Sequence, residues 1–307
     1  MVYIKKKKKY SVQYLKLDAK GFKILKANKT FRFSKMHGLG NDFMIIDARK
    51  NEPNLNKNLV RALSNRNLGV GFDQLAVVYD SSSKITDCYV KFWNSDGSIS
   101  PTCGNATRCI AKVIIEEKNI RSAVIETETG ILKCNQHENG VISVNMGNPK
   151  MSWKEIPLAI ECDTLYLPLK GNPVATSMGN PHCTFFVDDV ESHDLNEFGR
   201  AFENHQIFPQ RTNVQIAQIL SNELIKVKVW ERGVGKTLAS GSSSCAVAVA
   251  AARRGLTGKK TRILLDGGEL EILWSDDGVW MSGEVAKVFD GIISNDFFSQ
   301  MRDLQNE

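Results

Sequence analysis

Two dipeptides stand where a small acid or nucleophile could do chemistry. Cys103-Gly104 and Ser240-Gly241 each lie ten residues beyond a tryptophan that ends a strand-like tetrapeptide, Val90-Lys91-Phe92-Trp93 and Val227-Lys228-Val229-Trp230. Each also precedes a segment with helical spacing. At a helix start the unpaired backbone N–H groups and the macrodipole favour negative charge, so a thiol ionises more readily and an anionic substrate group finds donors. A lone Cys-Gly there is most often a packing feature; its repetition favours chemistry. Two such starts facing one another across a cleft would hold a carbon with an acid/base group on each side. That arrangement inverts a stereocentre, one group removing a proton while the other returns one to the opposite face.

The α-hydrogen of an amino acid is a very weak acid. The sequence offers no dinucleotide fingerprint, metal-ligand set or pyridoxal-lysine context to act as an electron sink. A reaction without cofactor or metal is therefore expected, with charge held by backbone donors and polar side chains. Six amides, Asn41, Gln74, Asn94, Asn105, Asn180 and Asn213, lie beside the glycine and Cys/Ser loops. Glu231-Arg232, at the place matching Asn94, adds one group of each sign. Each amide alone reads as a turn residue and the charged pair as a surface ion pair. Together they suit a multiply charged small molecule.

The elements that must position these groups occur twice. Besides the two tetrapeptides, Asp73-Gln74-Leu75-Ala76 matches Val214-Gln215-Ile216-Ala217, and Gly40-Asn41 matches Gly179-Asn180, all at nearly the same offset along the chain. One order at nearly one spacing predicts a duplicated domain. Residues Tyr89 to Trp93 and Leu224 to Trp230 read as strands, Arg108 to Lys118 and the alanine-rich Cys245 to Arg254 as helices, the second buried on most sides. A loop at Asn148-Pro149 separates the halves, and Gly171-Asn172-Pro173 marks a further turn. Gly283 to Phe289 reads as the last strand, before a tail expected to pack back on the first half. The expected units are residues 1–30, a basic extension outside the fold; 31–147 with 286–307; and 148–285.

Composition sets the remaining bounds. Hydrophobic content of 42% with 24% charged residues suits a soluble globular protein, and no apolar run approaches the roughly 20 residues of a membrane span. The net charge of +6 is local: residues 1–30 carry ten lysines against Asp18, leaving the remainder of the chain at −3. Lys5 to Lys9 read as a solvated tail rather than an arm for nucleic acid or lipid, and no apolar segment follows them as in a secretory signal. Seven cysteines without paired spacing imply neither disulfides nor zinc, and a cytoplasmic setting is expected.

A series of motifs then resembles one family. Met36-His37-Gly38-Leu39-Gly40-Asn41-Asp42-Phe43, Gly71-Phe72-Asp73-Gln74, Asn94-Ser95-Asp96-Gly97-Ser98 leading to Cys103-Gly104-Asn105-Ala106-Thr107-Arg108-Cys109, Gly179-Asn180-Pro181-His182 and Glu231-Arg232-Gly233-Val234-Gly235 are similar to the successive motifs of diaminopimelate epimerases, over about residues 31 to 290. The resemblance implies an α/β (α+β) fold of two pseudo-symmetric domains. Each would be a curved, mostly antiparallel sheet wrapped around a central helix, with the active site in the cleft between them. It implies cofactor-free, two-base interconversion of LL- and meso-2,6-diaminopimelate, serving lysine and peptidoglycan synthesis, by a homodimer. By analogy Cys103 is one catalytic thiol and Gly104 and Asn105 hold substrate beside it. Asn41, Gln74, Asn94, Asn180, Asn213, Glu231 and Arg232 match substrate-binding positions, Gly241 and Ser242 donate to the reacting carboxylate, and His182 and Glu231 support the reacting centre.

Ser240 departs from that pattern, which places the second thiol there. A serine hydroxyl is a far weaker acid than a thiol and needs an adjacent base. Cys245, inside the following helix, reads as a buried structural residue. Four readings stay open: an engineered replacement, a slow natural epimerase, a one-thiol enzyme that exchanges or eliminates without inversion, and a non-catalytic amino-acid-binding protein. A racemase of another amino acid, such as a proline-type substrate, is a further competitor.

Overall fold

The computed structural model describes residues 16–18, 21–23 and 32–298. In chain order the strands are β1 (Lys16–Asp18), β2 (Gly21–Lys23), β3 (Arg32–Gly38), β4 (Asn41–Asp47), β5 (Gln74–Tyr79), β6 (Cys88–Asn94), β7 (Ile99–Ser100), β8 (Ser122–Thr127), β9 (Gly130–Gln136), β10 (Ile142–Asn145), β11 (Val174–Ser177), β12 (Pro181–Phe186), β13 (Asn213–Ser221), β14 (Leu224–Glu231), β15 (Gly235–Thr237), β16 (Lys260–Leu265), β17 (Gly268–Ser275), β18 (Gly278–Gly283) and β19 (Ala286–Ile292). The α-helices are α1 (Lys57–Ser64), α2 (Gly104–Lys118), α3 (Leu195–Glu203) and α4 (Gly241–Arg253). Within the basic leader β1 and β2 form an antiparallel hairpin in a sheet of their own. The rest of the leader, including Lys5 to Lys9, and the tail from 299 to 307 lie outside the described residues.

The two halves repeat one pairing pattern. In the first, β3–β4 is antiparallel, β4–β5 parallel, β5–β6 antiparallel, β6–β8 parallel, and β8–β9 and β9–β10 antiparallel. In the second, β11 through β14, β16, β17 and β18 follow the same sequence of directions. β10 and β18 then pair antiparallel, which joins the halves into one ladder. The chain crosses over at both ends: β19 follows β18 yet pairs with β3, and Lys150 follows β10 yet bridges Ser177 of β11.

The helices sit where their apolar faces demand. α2 packs against β3, β4, β8, β9 and β10, and α4 against β11, β12, β13, β16, β17 and β18, each enclosed by its own half. Both contribute to one apolar cluster, with Ile110 and Ile114 of α2 and Val247 and Val249 of α4 fully or almost fully buried. Alanine on most faces of α4 lets strands approach from several directions without a polar stripe being buried. α1 and α3 cover smaller separate clusters around Leu63 and Phe72, and around Phe185 and Phe208.

Three expectations need correction. First, Gln74 of β5 pairs with Phe43 of β4, and Asn213 of β13 pairs with His182 of β12. Phe43 and His182 stand two places after Asn41 and Asn180, so they are equivalent positions, and the counterpart of Gln74 is Asn213 rather than Gln215. A two-residue slip preserves which face each side chain occupies, so hydropathy alone does not detect it. Second, α2 and α4 start at Gly104 and Gly241, about a turn before the apolar spacing becomes evident, because their first turns are small and polar. Third, Gly283 to Phe289 is not one strand: β18 ends at Gly283, and β19 begins at Ala286 and runs to Ile292.

Candidate active site

Cys103 and Ser240 are the N-cap residues of α2 and α4, with nearly identical backbone angles (φ −149°, ψ 108° and φ −142°, ψ 118°). The match extends into the first turns. Thr107 Oγ1 donates to the Cys103 carbonyl, and Ser244 Oγ, its equivalent in the second half, donates to the Ser240 carbonyl, both at 2.8 Å. The side chains then diverge. Cys103 Sγ accepts from the Ala106 N–H at 3.5 Å, whereas Ser240, a residue type that normally caps, makes no cap bond and instead lies close enough to Glu231 to lower its carboxyl.

The two helix starts meet. A Cβ added at Gly104 would lie 2.8 Å from Met281 Cε, and one added at Gly241 would lie 3.0 Å from that same atom. Either substitution would collide with it, so glycine at both places permits the close approach. Gly241 is also beside Asn105 Oδ1 of the other half, at 3.4 Å from the same notional Cβ. Residues 103 and 240 are thus neighbours of one shared contact between the halves, not remote repeats.

The amides fall around this point in two sets. In the first half, Asn41 Nδ2 donates to Asp73 Oδ2 at 2.8 Å while its Oδ1 accepts from Asn105 Nδ2 at 3.2 Å. Gln74 Nε2 donates to Asn94 Oδ1 at 2.9 Å, as expected of residues opposite one another on β5 and β6. In the second half, Asn213 Nδ2 donates to the Pro181 carbonyl at 2.9 Å and its Oδ1 accepts from the Arg232 N–H at 3.0 Å, which fixes the chain just after Glu231. The Arg232 guanidinium itself turns to the Gln210 carbonyl at 3.0 Å. Ser242 is half-buried in the first turn of α4.

His182 is fully buried and both ring nitrogens are engaged. Gln215 Nε2 can only donate, so Nδ1 accepts from it at 3.0 Å; the proton therefore sits on Nε2, which donates to Asn180 Oδ1 at 2.9 Å. Burial, and then the nearby charge of Arg232, hold the imidazole down at about 3. A neutral ring with both nitrogens engaged orients Asn180.

The electrostatics separate the two acid/base positions. Burial pushes the Cys103 thiol up to about 12 and the charge of Glu231 adds to that, against the N–H groups of Ala106 and Asn105 and the charge of Arg108. The thiol is therefore protonated at neutral pH. Burial also raises the Glu231 carboxyl, as does the charge of Asp73, while the hydrogen bond from Thr237 (3.0 Å to Oε1) and the nearby Ser240 hydroxyl lower it. Glu231, of the second half, thus interacts with Cys103 and Asp73 of the first, which puts it in the cleft with Ser240.

Sequence reasoning passed over several residues that hold this site. Gln215 donates to Ser243 Oγ at 3.0 Å and accepts from Thr184 Oγ1 at 3.1 Å, tying His182 to α4. Glu203, buried at the end of α3, accepts from Trp230 Nε1 at 2.7 Å and the Gly233 N–H at 2.8 Å, clamping both flanks of Glu231-Arg232. Only tertiary contact reveals such roles. Asp73 and Arg108 were at least signalled by their place inside the quoted motifs.

Comparison with known proteins identifies the family. The sequence profile of the family described as diaminopimelate epimerase matches residues 33–152 and 174–288. A diaminopimelate epimerase from Rhodospirillum centenum is 46% identical over 268 residues, covering 86% of this chain and 92% of its own. One from Gluconobacter oxydans is 43% identical, covering 85% and 98%. Among solved structures, a hydroxyproline epimerase from Agrobacterium vitis with bound trans-4-hydroxy-L-proline superposes with a TM-score of 0.63 at 10% identity, covering 88% of this chain and 94% of that one. A phenazine biosynthesis protein of the PhzF family from Bacillus anthracis gives 0.62 at 16%, covering 87% and 100%. These two share the fold alone, whereas the profile and the close relatives share the sequence across nearly the whole described body: the chain belongs to the diaminopimelate epimerase family.

Proposed function

We propose that this chain interconverts LL- and meso-2,6-diaminopimelate without a cofactor, with Cys103 on one face of the α-carbon and Ser240, backed by Glu231, on the other. The observation that supports the reading is the meeting of the two helix starts on Met281, since residues 103 and 240 cap those same starts. The N–H groups of Gly104, Asn105, Gly241 and Ser242 belong to those starts and suit a carboxylate that gains charge as the α-proton leaves. Asn41, Gln74, Asn94, Asn180, Asn213 and Arg232 would hold the remaining polar groups.

Serine alone is a poor partner in this chemistry; the nearby Glu231 carboxylate would supply the base it lacks. Ser240 Oγ takes the α-proton as its own hydroxyl proton passes to the Glu231 carboxylate, and Cys103 Sγ–H delivers a proton to the opposite face. The C–H bonding pair returns to carbon in the new bond, leaving a thiolate and a protonated Glu231. The reverse passage, or exchange with solvent, restores the starting state. Because Cys103 rests as a thiol, the isomer with its α-hydrogen toward Ser240 is processed first.

Incubation of LL-diaminopimelate in D2O, following α-deuterium uptake and meso product by NMR, tests the proposal. Uptake together with inversion is expected. Uptake without inversion would favour a one-base enzyme at Cys103, and binding with neither would favour a pocket without catalysis. A homodimeric, cytoplasmic enzyme with no nucleic-acid partner is part of the same reading, and sedimentation checks the assembly.

A further inference from the structure

Arg108 of α2 has no exposed surface, and its guanidinium lies against two glycines of different strands. A Cβ at Gly283, at the end of β18, would overlap Nη1, and one at Gly38, at the end of β3, would fall 3.1 Å from Nη2. The side chain therefore fills a slot that only glycine leaves open, where strands of the two halves come together. Nη2 donates to Asn105 Oδ1 at 2.8 Å. Nε and Nη1 have no hydrogen-bond partner, and no carboxylate pairs with the guanidinium among the described residues.

Burying a cation without an acid is costly, and a packed apolar side chain would be the more stable occupant. Such a residue is retained where its field acts on something. The titratable groups that feel its charge are three thiols, Cys109, Cys103 and Cys245. Cys109 and Cys245 are fully buried within α2 and α4, whereas Cys103, the cap of α2, is half-buried.

We propose that Arg108 is a positioning residue for proton transfer at Cys103: its buried guanidinium anchors Asn105 and places an uncompensated positive charge behind the helix start, favouring the thiolate that forms there. The arrangement is one-sided. The equivalent position of the second half is Cys245, so that half has no such cation, and there Glu231 serves Ser240 instead. Burial lowers Arg108 only to about 10, so it stays charged at neutral pH. Facing Cys103 against it is the carboxylate of Glu231 from β14; the Asn105 and Ala106 N–H groups of α2 act in the same direction as Arg108.

The inference rests on the epimerase reading only in naming Cys103 as a proton carrier, so its test reads the thiol directly. Iodoacetamide alkylation of Cys103 is followed by peptide mass spectrometry between pH 7 and 9 for wild type, Arg108→Met, Arg108→Gln and Arg108→Lys. Well below its pKa a thiol reacts in proportion to its thiolate fraction, so losing an opposite charge worth about one pH unit slows alkylation about tenfold at every pH. Arg108→Met and Arg108→Gln should show that fall, Arg108→Lys should largely restore the rate, and the melting temperature of Arg108→Met should hold or rise. A merely structural role moves the rate the other way, since a loosened core exposes the thiol. Alkylation that is unchanged or faster in the variants overturns the proposal, and should Arg108→Met not fold, Arg108→Gln decides alone. Deuterium exchange by wild type is the separate check on the epimerase reading.

Discussion

If Ser240 works only through Glu231, the two positions must be strongly coupled, and a double-mutant cycle measures how strongly. Glu231→Gln keeps the shape of the side chain and its contact with Thr237 but removes the proton acceptor. General acid–base catalysis is worth about 10²–10⁴, so with Ser240 in place the substitution should cost about 10³ in the rate of α-deuterium exchange. A thiol, unlike a hydroxyl, ionises without an auxiliary base. In the Ser240→Cys background the same change should therefore cost only about tenfold, through the lost hydrogen bond and altered field. The difference, a factor of about 100, is a coupling of about 2.7 kcal/mol. Neither variant breaks a core contact, so thermal melts should stay close to wild type. The assay is exchange and inversion of LL-diaminopimelate in D2O across the four proteins. Costs that agree within about threefold in the two backgrounds would refute the relay, since near-additivity means independent action.

Other outcomes follow from the same geometry. Ser240→Cys alone should accelerate inversion by about two orders of magnitude or more, measured by the same NMR assay; no acceleration would sink the placement of residue 240 opposite Cys103. Gly241→Ala should raise KM by about tenfold and destabilise the fold by about 1–3 kcal/mol in chemical denaturation, because its Cβ would meet Met281 Sδ at 2.9 Å. Burial pushes Asp42 up, but hydrogen bonds and charges from Arg66 and Lys35 outweigh it and hold the carboxyl at about 2, below its usual range. The resulting stability is present above about pH 4 and is lost as pH falls toward 2, and Asp42→Asn should remove that slope from the denaturation profile. His182, held neutral, should show no titration in imidazole NMR between pH 8 and 5, and any acid limb in the rate over that range belongs to another group.

What the residues revealed in advance was the pattern that repeats. The tetrapeptides ending at Trp93 and Trp230 located β6 and β14, and the matched Cys103 and Ser240 located two helix starts, because backbone propensity and period survive in short windows. The true partner of Gln74 was hidden, since strand alternation repeats every second residue and a slip of two leaves the pattern intact. What Glu203, Gln215 and Arg108 do was hidden for a different reason, although Gln215 and Arg108 stood inside quoted segments. Their roles are bonds to residues distant in sequence, Trp230 from Glu203 and His182 from Gln215, or a slot between strands of opposite halves, and no local window contains them. The neutral state of His182 likewise required seeing both ring nitrogens engaged.

The crossed ends of the ladder bear on how such a protein could arise and be taken apart. Were one repeat expressed alone, β3 would lose β19 and β10 would lose β18, leaving raw edges that invite aggregation. A progenitor of half this length would need a twin to cover them, and its proton-transfer groups would face one another only once the twins had docked. The peptide link after Asn148 turns that encounter into an intramolecular one, at an effective concentration no dilution can lower. It also frees the two copies to diverge, so that one could keep its sulfur while the other adopted oxygen.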